Sequence, residues 1–212
     1  MRRFLIAALA SLFLLSSVPG ASGQDEAVKK LAEATTRFYQ AKVAAETFYN
    51  RELAKILATC DQIEVYLLDH ETKETRSDYL GWETDLEEGE FPIMPYGVKS
   101  QILKRARLTP EERKEFLPAL TKILIADPSD GPFCHFPVHG IRVFSGEKII
   151  FQTSICWHCG NFYVHYPDGP QWSGIADGGD LAKVFDKLMP IPQEEKDRFE
   201  KGVTPQKAGP NK

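Results

Sequence analysis

Cysteine is scarce in this chain, with 4 residues in 212. That excludes a small disulfide-dense scaffold, in which covalent bridges stand in for a hydrophobic core. Neither sign of charge dominates. The 26 Lys and Arg stand against 30 Asp and Glu, a net charge of −4, so the basic surplus of a nucleic-acid binder is missing. No apolar run beyond the first residues reaches the length of about 20 that spans a bilayer. There is no glycine-rich phosphate loop, and Ser154 lacks the Gly-x-Ser-x-Gly elbow of a nucleophile. With 42% hydrophobic and 26% charged residues, what remains is an ordinary globular composition and not a disordered chain.

The first 23 residues read as an address. Arg2 and Arg3 form a positive n-region, Phe4 to Leu15 an apolar h-region, and Ala21-Ser22-Gly23 a small-residue cleavage site. Cleavage is expected between Gly23 and Gln24, leaving about 189 residues with a charge near −6. No Cys follows the run, which argues against a lipoprotein anchor. The expected location is secreted or periplasmic, with no membrane contact after the signal is removed. All 4 cysteines lie in the mature part, and the compartment expected for them is an oxidising one.

Residues 24–202 read as a single α+β domain, followed by a disordered tail at 203–212. Gly and Pro are absent from Gln24 to Leu80. Asp25 to about Thr59 is predicted to be one long helix, with Phe38, Tyr39, Phe48 and Tyr49 as an aromatic packing stripe. Gln62 to Leu68 alternates as a strand, Asp69 to Asp78 reads as a loop or hairpin, and Tyr79 to Trp82 as a short strand. The acidic segment from Asp85 to Glu90 is expected to be a solvated loop, and Pro92 and Pro95 continue it. Val98 to Leu108 fits a strand or a short helix. Thr109-Pro110-Glu111-Glu112 starts a helix with a capping box, running to about Ala126 through Pro118. Gly140–Phe144, Lys148–Ile155 and Asn161–Tyr166 form a predicted three-stranded meander. Helices follow at Leu181–Met189 and Gln193–Lys201. Strands and helices do not alternate strictly, so the fold expected is helices packed on a small antiparallel sheet that ends in this meander.

The informative segment runs from Cys134-His135-Phe136-Pro137-Val138-His139-Gly140-Ile141-Arg142 to Cys156-Trp157-His158-Cys159-Gly160. A turn centred near Gly146 would set Phe144 against Lys148 and Gly140 against Gln152. Extrapolation brings Cys134 opposite His158, so Cys134, Cys156 and Cys159 should gather at one end of the sheet. Three chemistries fit. A Cys-x-x-Cys-Gly turn can present two thiolates to zinc, with Cys134 and one of His135, His139 or His158 completing the set. A disulfide can join Cys134 to Cys156 or Cys159, or close within the pair. A dithiol redox couple is the third, disfavoured because a strand and not a helix N-terminus follows Cys159. Cys60 reads as a small buried apolar residue. His70 and His165 are expected at the surface, Arg142 in a salt bridge to one of the many acids, and Trp82, Trp157 and Trp172 in packing.

Taken together, Cys134, His139-Gly140-Ile141-Arg142-Val143 and Ser154-Ile155-Cys156-Trp157-His158-Cys159, with the Leu181-Ala182-Lys183-Val184-Phe185 helix behind them, resemble uncharacterised exported bacterial proteins. The resemblance implies a recurring small α+β domain and names no activity, ligand or partner. No complete catalytic constellation is visible in the sequence. The function expected is a non-enzymatic binding or structural role, its cysteine cluster closed by a disulfide or by structural zinc. The alternative is a thiol-active redox or metal-handling protein using Cys156 and Cys159.

Overall fold

The computed structural model describes residues 22–74, 88–93, 97–126, 134–175 and 179–203. Residues 1–21 of the expected signal peptide, the Tyr79–Trp82 strand, Pro95 and residues 204–212 of the expected tail lie outside them. The chain divides into two compact units, residues 1–45 and 46–212. Helix α1, Ser22–Leu57, belongs to both, and Gly23 and Gln24 fall in its first turn.

In the first unit the apolar side chains of α1 are exposed, Phe38 at 65% and Tyr39 at 60%. Their rings meet edge to face at 5.6 Å. The stripe predicted to pack does so only at its last member: Phe48 is also exposed, and Tyr49 alone is half-buried. Helical spacing creates such a stripe, but burial depends on whether a second surface meets it.

The second unit holds β1 (Gln62–Glu74), β2 (Glu90–Ile93), β3 (Val98–Arg107), α2 (Pro110–Ile125), β4 (His139–Ser145), β5 (Lys148–Cys156), β6 (Asn161–Tyr166), β7 (Gly169–Gly174), α3 (Gly179–Leu188) and α4 (Gln193–Val203). The strands form one antiparallel sheet in the order β2-β3-β1-β4-β5-β6-β7. The α+β class is as expected, but the sheet is not small. β1 is longer than its apolar alternation suggested and pairs on both sides, with β3 and with β4. Its pairing with β3 settles the ambiguous segment as a strand. Pro92 sits inside β2 and Pro170 inside β7, and these are the two edge strands, where a missing N–H is tolerated. Proline and glycine therefore hid both edges from the sequence reading.

The β4–β5 register also differs from the expected one. Ser145 faces Lys148 and Phe144 faces Ile149 across a two-residue turn, and a bulge then sets Val143 against Phe151 and Gly140 against Ser154. The turn is one residue shorter than a loop centred on Gly146, and the bulge adds a further shift. Together they move the end of the ladder from His158 towards Cys159.

Thr109 caps α2 as predicted. Its Oγ1 accepts from the Glu112 N–H at 3.3 Å, and the Glu112 carboxylate accepts from the Thr109 N–H at 2.7 Å. One sheet face carries Ile63, Val65, Ile141, Val143 and Ile155. It packs with Phe116 and Leu120 of α2, Val184 and Phe185 of α3, and Leu53 and Leu57 of α1. Each such side chain contributes roughly 1.5–3 kcal/mol when fully buried. The other face is covered too, by a smaller cluster of Tyr66, Leu68, Phe91 and Ile93.

Candidate functional site

The cysteines meet at the end of the meander. The sulfurs of Cys134 and Cys159 lie 2.6 Å apart, and the Cys159 N–H donates to Cys156 Sγ at 3.2 Å. β5 ends at Cys156, and the turn to β6 closes at Gly160, whose φ of +61° suits a residue without Cβ. Cys134 is exposed, whereas Cys156 and Cys159 are buried. Burial, together with the neighbouring thiols of Cys134 and Cys156, pushes the Cys159 thiol up, so it is a poor source of thiolate. Cys60 is buried at the end of α1, in the main core.

The three candidate histidines divide. His139 Nε2 donates to the Met189 carbonyl at 2.8 Å, and its Nδ1 accepts from the Trp157 indole N–H at 2.7 Å. Indole nitrogen only donates, so the tautomer is determined. His135 is tied in a row. The amide nitrogen of Asn161 donates to the Cys134 carbonyl at 2.8 Å, which turns its oxygen towards His135. His135 Nδ1 donates to that oxygen at 2.8 Å, and Ser154 Oγ donates to Nε2 at 2.8 Å. Both rings thus spend both nitrogens inside the protein. His158 is exposed and stacks edge to face on Phe199 at 5.6 Å. A closed zinc site needs four convergent ligands, and the cysteine corner offers a thiol pair and engaged imidazoles. Among the described residues, three ligand atoms within 4.8 Å of one another occur at Asp69, His70 and Glu195. There Arg198 already bonds both Glu195 oxygens at 2.9 and 3.0 Å and lies 3.4 Å from Asp69 Oδ1. That cluster joins α4 to β1.

Ser154, His135 and Asn161 reproduce the polarity of a nucleophile, base and orienter. Asn161 was missed in the sequence because no motif marks it; only the β5–β6 pairing brings it near. Ser154 is fully buried, and the 190 Å³ cavity beside the row is lined by His135 and Phe136 and not by Ser154. A reacting atom has no place to approach the hydroxyl. The row instead fastens the segment 134–138 to the sheet. His135 packs on Trp172 at 4.5 Å, and Trp157 on Phe185 at 5.6 Å, so these tryptophans pack as expected. Trp82 lies outside the described residues.

A cleft of about 1180 Å³ opens elsewhere in this unit. Tyr49, Leu53 and Ile56 of α1 and Ile149 and Ile150 of β5 supply apolar lining. Tyr66, Arg142 and Gln152, adjacent across β1, β4 and β5, supply polar lining. Beneath them Glu64 is only 1% exposed. It accepts from Arg105 at 2.5 Å and Gln62 at 2.7 Å, and from the Tyr66 hydroxyl. Burial alone would raise the Glu64 carboxyl, but the Arg105 and Tyr66 hydrogen bonds outweigh it and hold it low. Burial, then the bond to Glu64, pushes the Tyr66 hydroxyl up to about 12. Arg142 is half-buried and has no carboxylate partner among the described residues, contrary to the expected salt bridge. Its Nε donates to Gln152 at 2.6 Å, and its Cζ lies 5.1 Å from the Tyr66 ring and 4.8 Å from the Phe91 ring. His165 lines the cleft and His70 the smaller cavity, both half-buried and not at the open surface predicted for them.

Comparison with known protein families, with curated proteins and with solved structures gives no match.

Proposed function

We propose that the chain is an exported, non-enzymatic binding protein that holds a small molecule in the 1180 Å³ cleft. The observation carrying this reading is the combination of apolar walls with a few rigidly held polar groups, the usual constitution of a ligand site. The polar groups are suited to orientation more than to proton transfer. Tyr66 and Glu64 are bonded to each other, and their acidities are driven apart, away from neutrality. The signal-like N-terminus and the absence of Cys after it support a secreted or periplasmic location, with no membrane contact after cleavage. In that compartment the Cys134–Cys159 pair closes as a structural disulfide. Disulfide is preferred to zinc because His135 and His139 have both nitrogens engaged and, among the described residues, no third ligand atom gathers with the Cys134–Cys159 pair within 4.8 Å.

The test uses the neutral apolar fluorophore N-phenyl-1-naphthylamine. The mature protein should bind one equivalent with enhanced fluorescence. Ile149 is 40% exposed on the cleft wall, so Ile149→Glu should fold and bind at least tenfold more weakly. No binding, or equal binding by the variant, overturns the reading. A second reading, thiol exchange, is favoured by the exposed Cys134 lying over Cys159. Insulin reduction by the reduced protein, lost in Cys134→Ser, would put that reading first.

A further inference from the structure

We infer that the ligand of this cleft is an amphipathic monoanion, a carboxylate on an apolar body, and that Arg142 is its anchor. The inference rests on the cleft reading above and deepens it.

The argument starts from where the neighbouring charges are spent. Glu64 faces Arg142 directly in the β1–β4 register, yet its carboxylate is taken by Arg105, Tyr66 and Gln62, with Arg107 at 3.7 Å. The Glu90 carboxylate is held by Lys99 at 2.6 Å, and only the Glu90 backbone carbonyl reaches Arg142, at 3.4 Å. Two acids close in the fold are thus neutralised by other cations. Among the described residues Arg142 keeps a half-buried charge with no carboxylate partner.

The guanidinium is also held in place. Arg142 Cζ and the Tyr66 and Phe91 ring centroids form a near-equilateral triangle, since the two rings are 5.2 Å apart. The cation therefore rests on a two-ring platform, which favours it electrostatically. Gln152 fixes Nε. Among the described residues no protein group bonds Nη1, and Arg142 lines the cleft. A planar fork with one side fixed and the other open matches a carboxylate. Phe91 can lie there only because residue 140 is glycine: a Cβ at Gly140 would stand 2.7 Å from the Phe91 ring.

The remaining lining limits the charge of the ligand. Besides Arg142 the cleft is lined by Lys148 and by Arg105, which is bonded to Glu64, and by the acids Glu52, Glu88 and Glu90, of which Glu52 pairs with Lys55 and Glu90 with Lys99. One negative charge finds Arg142, whereas a polyanion meets these carboxylates as well. The apolar residues Leu53, Ile56 and Ile149 fit a hydrocarbon body.

Octanoate and octan-1-ol, equal in chain length, are titrated as competitors of N-phenyl-1-naphthylamine on the mature protein, with pyrophosphate as the polyanion. Octanoate should displace the dye at least tenfold more effectively than the alcohol, and pyrophosphate should not displace it. Arg142→Gln should erase the octanoate advantage over octan-1-ol, and Arg142→Lys should retain part of it. Equal displacement by acid and alcohol, or an octanoate advantage that survives Arg142→Gln, overturns the anion assignment and leaves the cleft reading standing. Tight binding of pyrophosphate overturns the monoanion assignment. Failure of the dye itself to bind removes the cleft reading and this inference together.

Discussion

Closing the Cys134–Cys159 pair should make the protein markedly harder to unfold, and the size of the effect follows from the chain separation. The two positions are 25 residues apart. A bridge across that loop removes about 12 cal/mol/K of entropy from the denatured chain, or about 3.5 kcal/mol at 25 °C. For a domain of this size each kcal/mol moves the melting temperature by about 2–4 °C, so the expected shift is about 7–14 °C. Cys134→Ser is the variant of choice. Cys134 is exposed, so serine there loses the bridge and little packing, whereas Cys159→Ser would bury a hydroxyl. Protein exported from cells is melted by circular dichroism with and without a phosphine reductant. Wild type should drop by that amount on reduction. Cys134→Ser should start low and not respond. Cys156→Ser should still respond, because its thiol lies outside the pair. Alkylation of both Cys134 and Cys159 without prior reduction would refute the reasoning. So would a reductant-sensitive melt that Cys156→Ser abolishes and Cys134→Ser keeps.

Gly140→Ala places a methyl group 2.7 Å from two atoms of the Phe91 ring, which is fully buried, so the ring must move; overpacking of this kind costs about 1–3 kcal/mol, read as a lower urea midpoint, and the platform under Arg142 should be lost with it. A wild-type midpoint would contradict the packing described. Stability should also fall between pH 6.5 and about 4. Burial lowers both His135 and His139 to about 4, against about 6.5 in the unfolded chain. Their contribution is complete above pH 6.5 and is lost as pH falls towards 4, because only the unfolded chain takes up those protons. Each adds a slope of up to about 1.4 kcal/mol per pH unit. Protonated His139 would also set an N–H against the Trp157 N–H. Urea unfolding at a series of pH values checks this, and a flat profile from pH 6.5 to 5 would count against both assignments. Glu64, held low, acts only at more acidic pH: its share is present above about 4.3 and is lost below.

Much of the fold was legible because local rules and tertiary packing agree. The capping box at Thr109, the alternation of Ile63, Val65 and Leu67, and the glycine-closed turn after Cys156 all appear where residue chemistry places them. The edge strands were not legible, because Pro92 and Pro170 look like breakers and are tolerated only where one side of the strand is unpaired. The meeting of Cys134 with Cys159 was approached by counting along a hairpin, and the exact partner changed once a short turn and a bulge altered the register.

The sequence by itself determined the four helices, the inner strands β1, β4, β5 and β6, the α+β class and the convergence of the cysteines at one end of the sheet, since these follow from periodicity and chain connectivity. It also set Glu64 and Tyr66 on the face opposite Ile63 and Val65. Only the tertiary structure decided what that face is. Alternation predicts a solvated side, but Phe91 arrives from a strand far along the chain and covers it. Arg105 and Lys99 then take the nearby carboxylates, and Arg142, expected in a salt bridge, is left with its charge facing a cleft. Which cation meets which acid depends on strand order and register, and no local pattern encodes either.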